Sequence, residues 1–178
     1  GAGIYFKEGY LFDNIIYENI GEGLYVEDIS TGDSIVHNII LNNSGGGVKL
    51  DTDRFRGVFS NNIIADHDYP SGIIINGGCY ADYDDPYFEF SNNIIVNNNS
   101  THLTSQYCYT GNSSESNVLY FFNNLISNNT TSSYLINLSG QPSLYTNNNI
   151  FNNSSPNYLY NGNSYGSDDL IVENNYWG

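Results

Sequence analysis

Apolar residues along the chain occur in short segments of three to five, separated by asparagine, glycine and serine. The segments are rich in Ile, Val, Tyr and Phe. Several alternate with a period of two, as in Tyr10-Leu11-Phe12 and Phe88-Glu89-Phe90. Both features are typical of β-strands that bury one face. No segment keeps the 3.6-residue period of an amphipathic helix over a useful length. The pattern therefore predicts an all-β chain.

Two apolar motifs alternate strictly along the whole sequence. In the first, an asparagine precedes two aliphatic or aromatic residues, and its copies are 24 to 31 residues apart. Its leading residues are Asn14, Asn38, Asn62, Asn93, Asn124, Asn149 and Asn175. The second is an aliphatic signature that begins at Ile4, Leu24, Val48, Ile73, Leu103, Leu135 and Leu159. A third apolar segment lies just upstream of most leading asparagines, so each repeat supplies three short strands.

Three short strands in a repeat of about 25 residues match one coil of a solenoid in which each strand pairs with its equivalent one coil away. We therefore predict a single domain, residues 1–178, folded as a right-handed parallel β-helix of about seven coils. Leading asparagines that stack at strand spacing can each donate an amide hydrogen to the carbonyl of the next. Asparagine also tolerates the left-handed backbone of a tight corner. The repeated asparagines are thus predicted to form a ladder.

The repeat has a constant part and a variable part. From a leading asparagine to the next aliphatic signature the spacing is 10 or 11 residues, whereas the return spacing varies from 10 to 21. Insertions are therefore expected in one loop per coil, on one side of the solenoid. Tyrosine rings and carboxylates on this loop face suit sugar rings and their hydroxyls, with plain solvated loop surface as the alternative. The candidate glycan-binding residues are Asp51, Asp53, Tyr80, Asp82, Tyr83, Asp84, Tyr87, Tyr107 and Tyr109.

Carboxylates in the same loops are candidate ligands for calcium, because carboxylate oxygens are the ligands that this ion prefers. They are Asp51, Asp53, Asp82, Asp84 and Asp85, and their spacing is not that of an EF-hand. The alternative is unliganded loop acids that only lower the isoelectric point. No other cofactor is expected.

The two cysteines occupy nearly the same position in consecutive repeats. Cys79 lies six residues after Ile73, and Cys108 lies five residues after Leu103. Equivalent positions are neighbours in a solenoid, so we predict a Cys79–Cys108 disulfide, with two buried thiols as the alternative. A disulfide implies an oxidising compartment.

Composition excludes several classes of partner. The chain of 178 residues has 4 Lys and Arg against 19 Asp and Glu, giving a net charge of −15. Four scattered cations cannot neutralise a phosphate backbone, so nucleic acid is not an expected partner. No apolar run approaches the length of a membrane span, so direct membrane insertion is not expected either. His37 and His102 are isolated, and Asp66-His67-Asp68 is interpreted as a polar turn.

The repeats resemble a known group of proteins. Asn92-Asn93-Ile94-Ile95-Val96-Asn97-Asn98 and the closing Asn174-Asn175-Tyr176-Trp177-Gly178 are similar to the β-helix repeats of adhesin-like surface proteins, especially those of methanogenic archaea. The resemblance implies an extracellular, cell-surface role in attachment, within a longer chain.

Three functions follow as expectations. The first is a non-catalytic, adhesin-like module at the cell surface that binds a glycan or another surface ligand through its loop face. The second is a polysaccharide lyase or glycoside hydrolase that uses loop carboxylates, and the third is a structural stalk or filament subunit. The chain begins at an aliphatic signature and stops three residues after Asn175. We therefore expect an excised segment whose end strands are covered by further coils or by end-to-end self-association.

Overall fold

The computed structural model describes residues 1–27, 32–51, 57–81, 87–110, 118–140, 143–162 and 171–178. At positions 51, 76–81, 87, 106–110, 118–119, 139–140, 143, 161 and 171 it describes the backbone only. Within these ranges the chain forms 21 strands and no helix. Every described pair of neighbouring strands is parallel.

The strands belong to three sheets of seven, and each sheet takes every third strand. Sheet A contains β1 (Ile4–Phe6), β4 (Leu24–Glu27), β7 (Val48–Asp51), β10 (Asp68–Ala81), β13 (Asn99–Thr110), β16 (Thr130–Gly140) and β19 (Asn157–Asn161). Sheet B contains β2 (Tyr10–Phe12), β5 (Asp33–Val36), β8 (Gly57–Ser60), β11 (Tyr87–Ser91), β14 (Val118–Phe122), β17 (Ser143–Thr146) and β20 (Ile171–Glu173). Sheet C contains β3 (Ile15–Tyr17), β6 (Ile39–Leu41), β9 (Ile63–Ala65), β12 (Ile94–Val96), β15 (Leu125–Ser127), β18 (Asn149–Phe151) and β21 (Tyr176–Trp177).

Three consecutive strands therefore make one coil, and seven coils stack into a parallel β-helix. The predicted fold class is confirmed. Neighbouring coils are separated by the usual spacing between paired strands, about 4.8 Å. Because alternate residues of a strand point to opposite faces, each strand sends one set of side chains into the solenoid and the other outward.

The core is built from vertical rows of similar side chains. In sheet C the central residue of each strand from the first to the sixth coil is an isoleucine, and Ile40, Ile64 and Ile126 are fully buried. In sheet B a row of rings, Phe59, Phe90, Phe121 and Tyr145, stacks with centroids 4.5 to 5.0 Å apart. Such rows pack well because register brings equivalent residues of adjacent coils directly over one another.

Tight corners separate sheet B from sheet C and sheet C from sheet A. At each corner one residue adopts the left-handed conformation, with φ between 48° and 59°. Those of the first corner are Asp13, His37, Asn61, Asn92, Asn123, Asn147 and Asn174, and those of the second are Glu18, Asn42, Asp66, Asn97, Asn128 and Asn152. Asparagine and aspartate are common there because their short polar side chains tolerate this conformation.

The residue after each first-corner position forms an asparagine ladder. Its Nδ2 donates to Oδ1 of the equivalent residue in the next coil, at 2.9 to 3.2 Å. The same Oδ1 accepts the backbone N–H of the preceding rung, and most amides also donate to carbonyls within the turn and one coil back. Because all these groups are buried or partly buried, their mutual hydrogen bonds avoid the cost of unpaired polar atoms. The rungs are Asn14, Asn38, Asn62, Asn93, Asn124, Asn148 and Asn175.

One predicted rung, Asn149, is wrong. Asn149 is exposed and pairs with Leu125 in sheet C, whereas Asn148 is fully buried and forms the rung. The sixth copy has asparagine where other coils have the first aliphatic residue of the sheet C strand. The run Asn147-Asn148-Asn149 therefore shifted the apparent start of the motif by one residue.

A second ladder, which the sequence analysis missed, follows the second corner. It contains Asn19, Asn43, His67, Asn98, Asn129 and Asn153. His67 is 1% exposed and takes the place of an asparagine. Asp66-His67-Asp68 is therefore more than a polar turn, because His67 is a rung of the ladder and the two aspartates flank it. Nδ1 of His67 lies 2.9 Å from Oδ1 of Asn98, and Nε2 lies 3.3 Å from Nδ2 of Asn43. This pattern assigns the proton to Nδ1 and makes Nε2 an acceptor.

The constant part of the repeat is less constant than the spacing suggested. Val48 pairs with Ile75, Ile75 with Thr104, and Thr104 with Ile136, so the signatures predicted to start at Ile73, Leu103 and Leu135 are out of register by one or two residues. Register shifts occur between Tyr69 and Ile73 and between Ser100 and His102. Insertions thus also occur at the start of sheet A strands, and the run Ile73-Ile74-Ile75 concealed them.

Replacing one rung of the first ladder should destabilise the protein far more than replacing its neighbour in sequence. Asn148→Ala removes a side chain that joins five hydrogen bonds with its neighbours, and leaves buried groups unpaired. We expect a loss of about 3 kcal/mol in the free energy of unfolding. The control, Asn149→Ala, changes an exposed side chain and should cost at most about 0.5 kcal/mol. Urea unfolding measures both, and equal losses would contradict the assignment of the rung.

His67 should make stability depend on pH. Burial lowers the pKa of His67, while the hydrogen bond to Asn98 and the charge of Asp66 partly oppose that shift. The folded state therefore binds a proton less readily than the unfolded state. The contribution of His67 to the free energy of unfolding is fully present above about pH 6.5 and declines as the pH falls below that value. His67→Asn supplies an ordinary rung and should remove this decline. Urea unfolding of the wild type and of His67→Asn at about pH 7.5 and about pH 5 measures this decline. An equal loss of unfolding free energy in both proteins between the two pH values would contradict the prediction.

Candidate functional site

One group of aromatic rings lies on the outer face of sheet A in the first two coils. Tyr5 and Tyr25 are direct partners in neighbouring strands, and their rings stack with centroids 5.4 Å apart. The ammonium of Lys49, the next residue in that row, lies 4.9 Å from the centre of the Tyr25 ring. The hydroxyl of Tyr5 donates to Glu27, which also pairs with Lys7 at 3.8 Å. Tyr5 is 60% exposed, so the group presents a flat aromatic surface to solvent.

A second group of rings lies on the same face in the last three coils. His102 and Tyr134 are paired in register and stack at 5.4 Å. The rings of Tyr134 and Tyr160 follow at 4.7 Å. Tyr160 is 44% exposed. Parallel pairing places the side chains of register partners about 4.8 Å apart, which accounts for the stacking of His102 on Tyr134. Tyr160 instead pairs in register with Asn137, so its ring reaches Tyr134 from a neighbouring row.

A groove of about 400 Å³ lies between the two groups of rings. It spans the second to the fifth coil, and its polar lining includes a carboxylate, an ammonium, an imidazole and three hydroxyl groups. The lining residues are Glu22, Gly45, Val48, Lys49, Tyr69, Ser71, Gly72, Ile73, Thr101 and His102.

The groove exists because of local departures from the regular repeat. In the third coil the residues before β7 are Gly45, Gly46 and Gly47, which carry no side chains to fill the space. A Cβ on Gly46 would lie 2.8 Å from the carbonyl oxygen of Ile73, and Gly46 has a φ of 105°, so this position requires glycine. In the fourth coil the extra residues between Tyr69 and Ile73 border the same opening.

Tyr69 is held over the groove by close packing. A Cβ on Gly72 would lie 1.7 Å from its ring, so the ring occupies the space of the missing side chain. The ring also lies close to Gly46 and packs against the hydrophobic core. Tyr69 is therefore fixed in position before any ligand arrives.

His102 contributes an unusual electrostatic environment. Its Nδ1 is buried and has no hydrogen-bond partner, and Ser100 and Thr104 on the same strand also have buried hydroxyls without partners. Burial lowers the pKa of His102, so its ring is neutral near pH 7. Unpaired buried polar atoms are costly unless water or a ligand reaches them. Of these three residues only His102 lines the groove, because Thr104 lies in the interior row with Ile75 and Ile136.

The predicted loop-face residues are only partly placed. Asp53, Asp82, Tyr83 and Asp84 lie outside the described residues. Tyr80 and Tyr109 are direct register partners in β10 and β13, and Tyr107 is paired with Gly78. Asp51 ends β7 in the same sheet, whereas Tyr87 begins β11 in sheet B. The backbone thus brings Asp51, Tyr80, Tyr107 and Tyr109 to the carboxyl ends of neighbouring sheet A strands.

The predicted calcium site stays a prediction. Of its candidate ligands only the backbone of Asp51 is described, and Asp53, Asp82, Asp84 and Asp85 lie outside the described residues. In the part of the chain that the structure describes, no three His, Cys, Asp or Glu side chains cluster as metal ligands would.

The two cysteines are opposite each other. Cys79 in β10 is the direct register partner of Cys108 in β13. Adjacent strands are about 4.8 Å apart, which is within the Cα separation that disulfides span. Backbone register therefore supports the predicted bridge.

Comparison of the chain with protein-family models, with curated proteins and with solved structures gives no match. Among the described residues, no helix is long and apolar enough to cross a membrane.

Sequence reasoning missed the groove and most of the rings beside it. The signals were present: Gly45-Gly46-Gly47 is an unbroken glycine run, and Tyr5, Tyr25 and Tyr160 each lie within or beside the aliphatic signature. Which rings become neighbours depends on the register of the strands. Tyr134 and His102, for example, are aligned only when the register shift between Ser100 and His102 is included.

Non-reducing alkylation followed by intact-mass measurement tests the cysteine pair. We expect no alkylatable thiol before reduction and two after it. Cys79→Ser and Cys108→Ser should each lower the free energy of unfolding by about 3 kcal/mol, because the bridge closes a loop of about 30 residues. The double variant serves as the control and should be no less stable than either single variant. Two free thiols in the unreduced protein would contradict the bridge.

Proposed function

We propose that this chain is a non-catalytic, extracellular attachment module that binds glycans on the outer face of sheet A. The observation that carries the proposal is the arrangement of two partly exposed groups of neighbouring rings with a polar groove between them. Aromatic faces offer flat apolar surface to the C–H groups of a sugar ring, and neighbouring polar groups bind its hydroxyls.

Part of the loop side lies on the same sheet as the groove. Tyr80, Tyr107 and Tyr109 lie near the carboxyl ends of β10 and β13, whose amino-terminal parts border the groove. A chain of sugars that bound along these strands would meet the loop-face candidates at one end and the groove at the other. The loop-face hypothesis and the groove are therefore parts of one proposed surface.

The groove chemistry favours binding over hydrolysis. Most glycoside hydrolases use two carboxyl groups that flank the scissile bond. Among the described residues that line the groove, Glu22 is the single carboxylate. A hydrolase or lyase acting through the loop acids is the alternative, and the release of new reducing ends or unsaturated uronates from a bound glycan would support it.

The proposed location is the cell surface. The resemblance to adhesin-like repeats, including those of methanogenic archaea, supports this proposal, as does the predicted disulfide, which needs an oxidising compartment. The chain matches no family model, so a family assignment does not carry the argument. End-to-end self-association involves contacts between two copies of the chain, and it stays a prediction.

A glycan array with matched tyrosine variants tests the proposal. The ring of Tyr134 stacks on His102 and contacts the tilted ring of Tyr160, both in sheet A, whereas Tyr10 is 72% exposed on sheet B. We expect the wild-type chain to bind a subset of glycans and Tyr134→Ala to weaken that binding by about tenfold, because it removes the central ring of the second group. Tyr10→Ala should bind as the wild type does.

Circular dichroism should show that both variants keep the strand content of the wild type, since both side chains lie on the outside of the solenoid. Absence of binding to every glycan by the wild type would contradict the proposal, and so would equal binding by Tyr134→Ala.

A further inference from the structure

We propose that the groove between Glu22 and His102 is a subsite for one neutral saccharide unit and discriminates against uronic acids. This inference rests on the proposed function and adds to it the location and the charge of the ligand.

The dimensions of the groove suit a small polar ligand. Its volume, about 400 Å³, lies within the range of ordinary small-molecule sites. Val48 and Ile73 supply apolar lining, and Tyr69 supplies an aromatic ring. A sugar has the same two kinds of surface, because its C–H groups are apolar and its edge carries hydroxyls.

The polar groups of the groove can bind sugar hydroxyls. Ser71 and Tyr69 each carry a hydroxyl that can both donate and accept a hydrogen bond. The hydroxyl of Thr101 donates to the carbonyl of Pro70 at 2.9 Å, so it offers a ligand only an acceptor. The imidazole of His102 also lines the groove, and its buried Nδ1 has no partner within the protein. Glu22 accepts and Lys49 donates, so vicinal hydroxyls with different orientations could each be satisfied.

The electrostatics favour a neutral sugar. Glu22 and Lys49 carry opposite charges, so the formal charges that line the groove cancel. The ammonium of Lys49 also faces the ring of Tyr25, which stabilises its charge locally. The whole chain carries −15, and the repulsion that an anionic ligand would meet on approach is not offset within the groove. Salt screens this repulsion, so discrimination should weaken as ionic strength rises.

The groove is preorganised for binding. Tyr69 is fixed by Gly72, Gly46 and the core, and the strands on either side are tied to neighbouring coils by parallel ladders. A site whose groups are already in place loses little conformational entropy when a ligand binds.

Binding should be measured by calorimetry with stated probes. These are three neutral disaccharides, cellobiose, maltose and mannobiose, and one anionic disaccharide, digalacturonic acid. We expect at least one neutral disaccharide to bind more tightly than digalacturonic acid at low salt, with the ratio of affinities falling as salt is added.

Two serine variants locate the site. Ser71 is exposed at the groove, so Ser71→Phe fills the groove without disturbing the core. Ser132 is exposed on β16, two coils away and outside the groove lining, so Ser132→Phe is the matched control. Ser71→Phe should weaken the neutral disaccharide by about tenfold or more, whereas Ser132→Phe should leave its affinity within about twofold.

The outcomes separate this inference from the proposed function. If the chain binds glycans on the array but Ser71→Phe binds disaccharide as tightly as Ser132→Phe, the subsite is wrong and the proposed function stands. If digalacturonic acid binds more tightly than every neutral probe, the assignment of charge is wrong. If no probe and no arrayed glycan binds, both proposals fail.

Discussion

The fold depends on the buried hydrogen bonds of the two ladders at the corners of each coil. A ladder amide such as that of Asn124 binds the carbonyl groups of its own turn and of the coil before it, and also joins the next rung. The left-handed corner is thereby satisfied without water, which allows a tight turn between sheets to be buried. Because every rung fixes its neighbour, the coils stay in register over the length of the solenoid.

Register converts a repeated sequence into a functional surface. Outward side chains that are 20 to 32 residues apart become neighbours, so Tyr5 stacks on Tyr25 and His102 stacks on Tyr134. The groove arises where this regularity is broken, at the glycine run before β7 and at the extra residues near the start of β10. The ladders supply the rigid support, and the irregular coils supply the candidate site. This division agrees with the general tendency of solenoids to vary in their loops and outer faces.

The fold could be predicted from the sequence because its main signal is repeated seven times. The period, the three strands per coil and six of the seven positions of the first ladder follow from spacing alone, whereas the second ladder was missed. Local features were harder. Asn149 was mistaken for a rung because three asparagines occur in succession, and His67 was not recognised as a rung because imidazole can replace the amide only when both of its nitrogens find partners. The groove could not be predicted, since it depends on side chains that the glycine run of one coil lacks and on residues added near the start of the next sheet A strand, and the spacing of the motifs does not reveal either.

The central claim is that residues 24 to 31 positions apart stack through their side-chain amides. The most direct measurement is nuclear Overhauser spectroscopy of protein labelled with ¹⁵N in its asparagine side chains. The account predicts slow solvent exchange for the amide of Asn124 and a cross-peak between the side-chain amides of Asn93 and Asn124, whose nitrogen and oxygen lie 3.1 Å apart. Rapid exchange of the Asn93 and Asn124 amides, with no cross-peak between them, would contradict it.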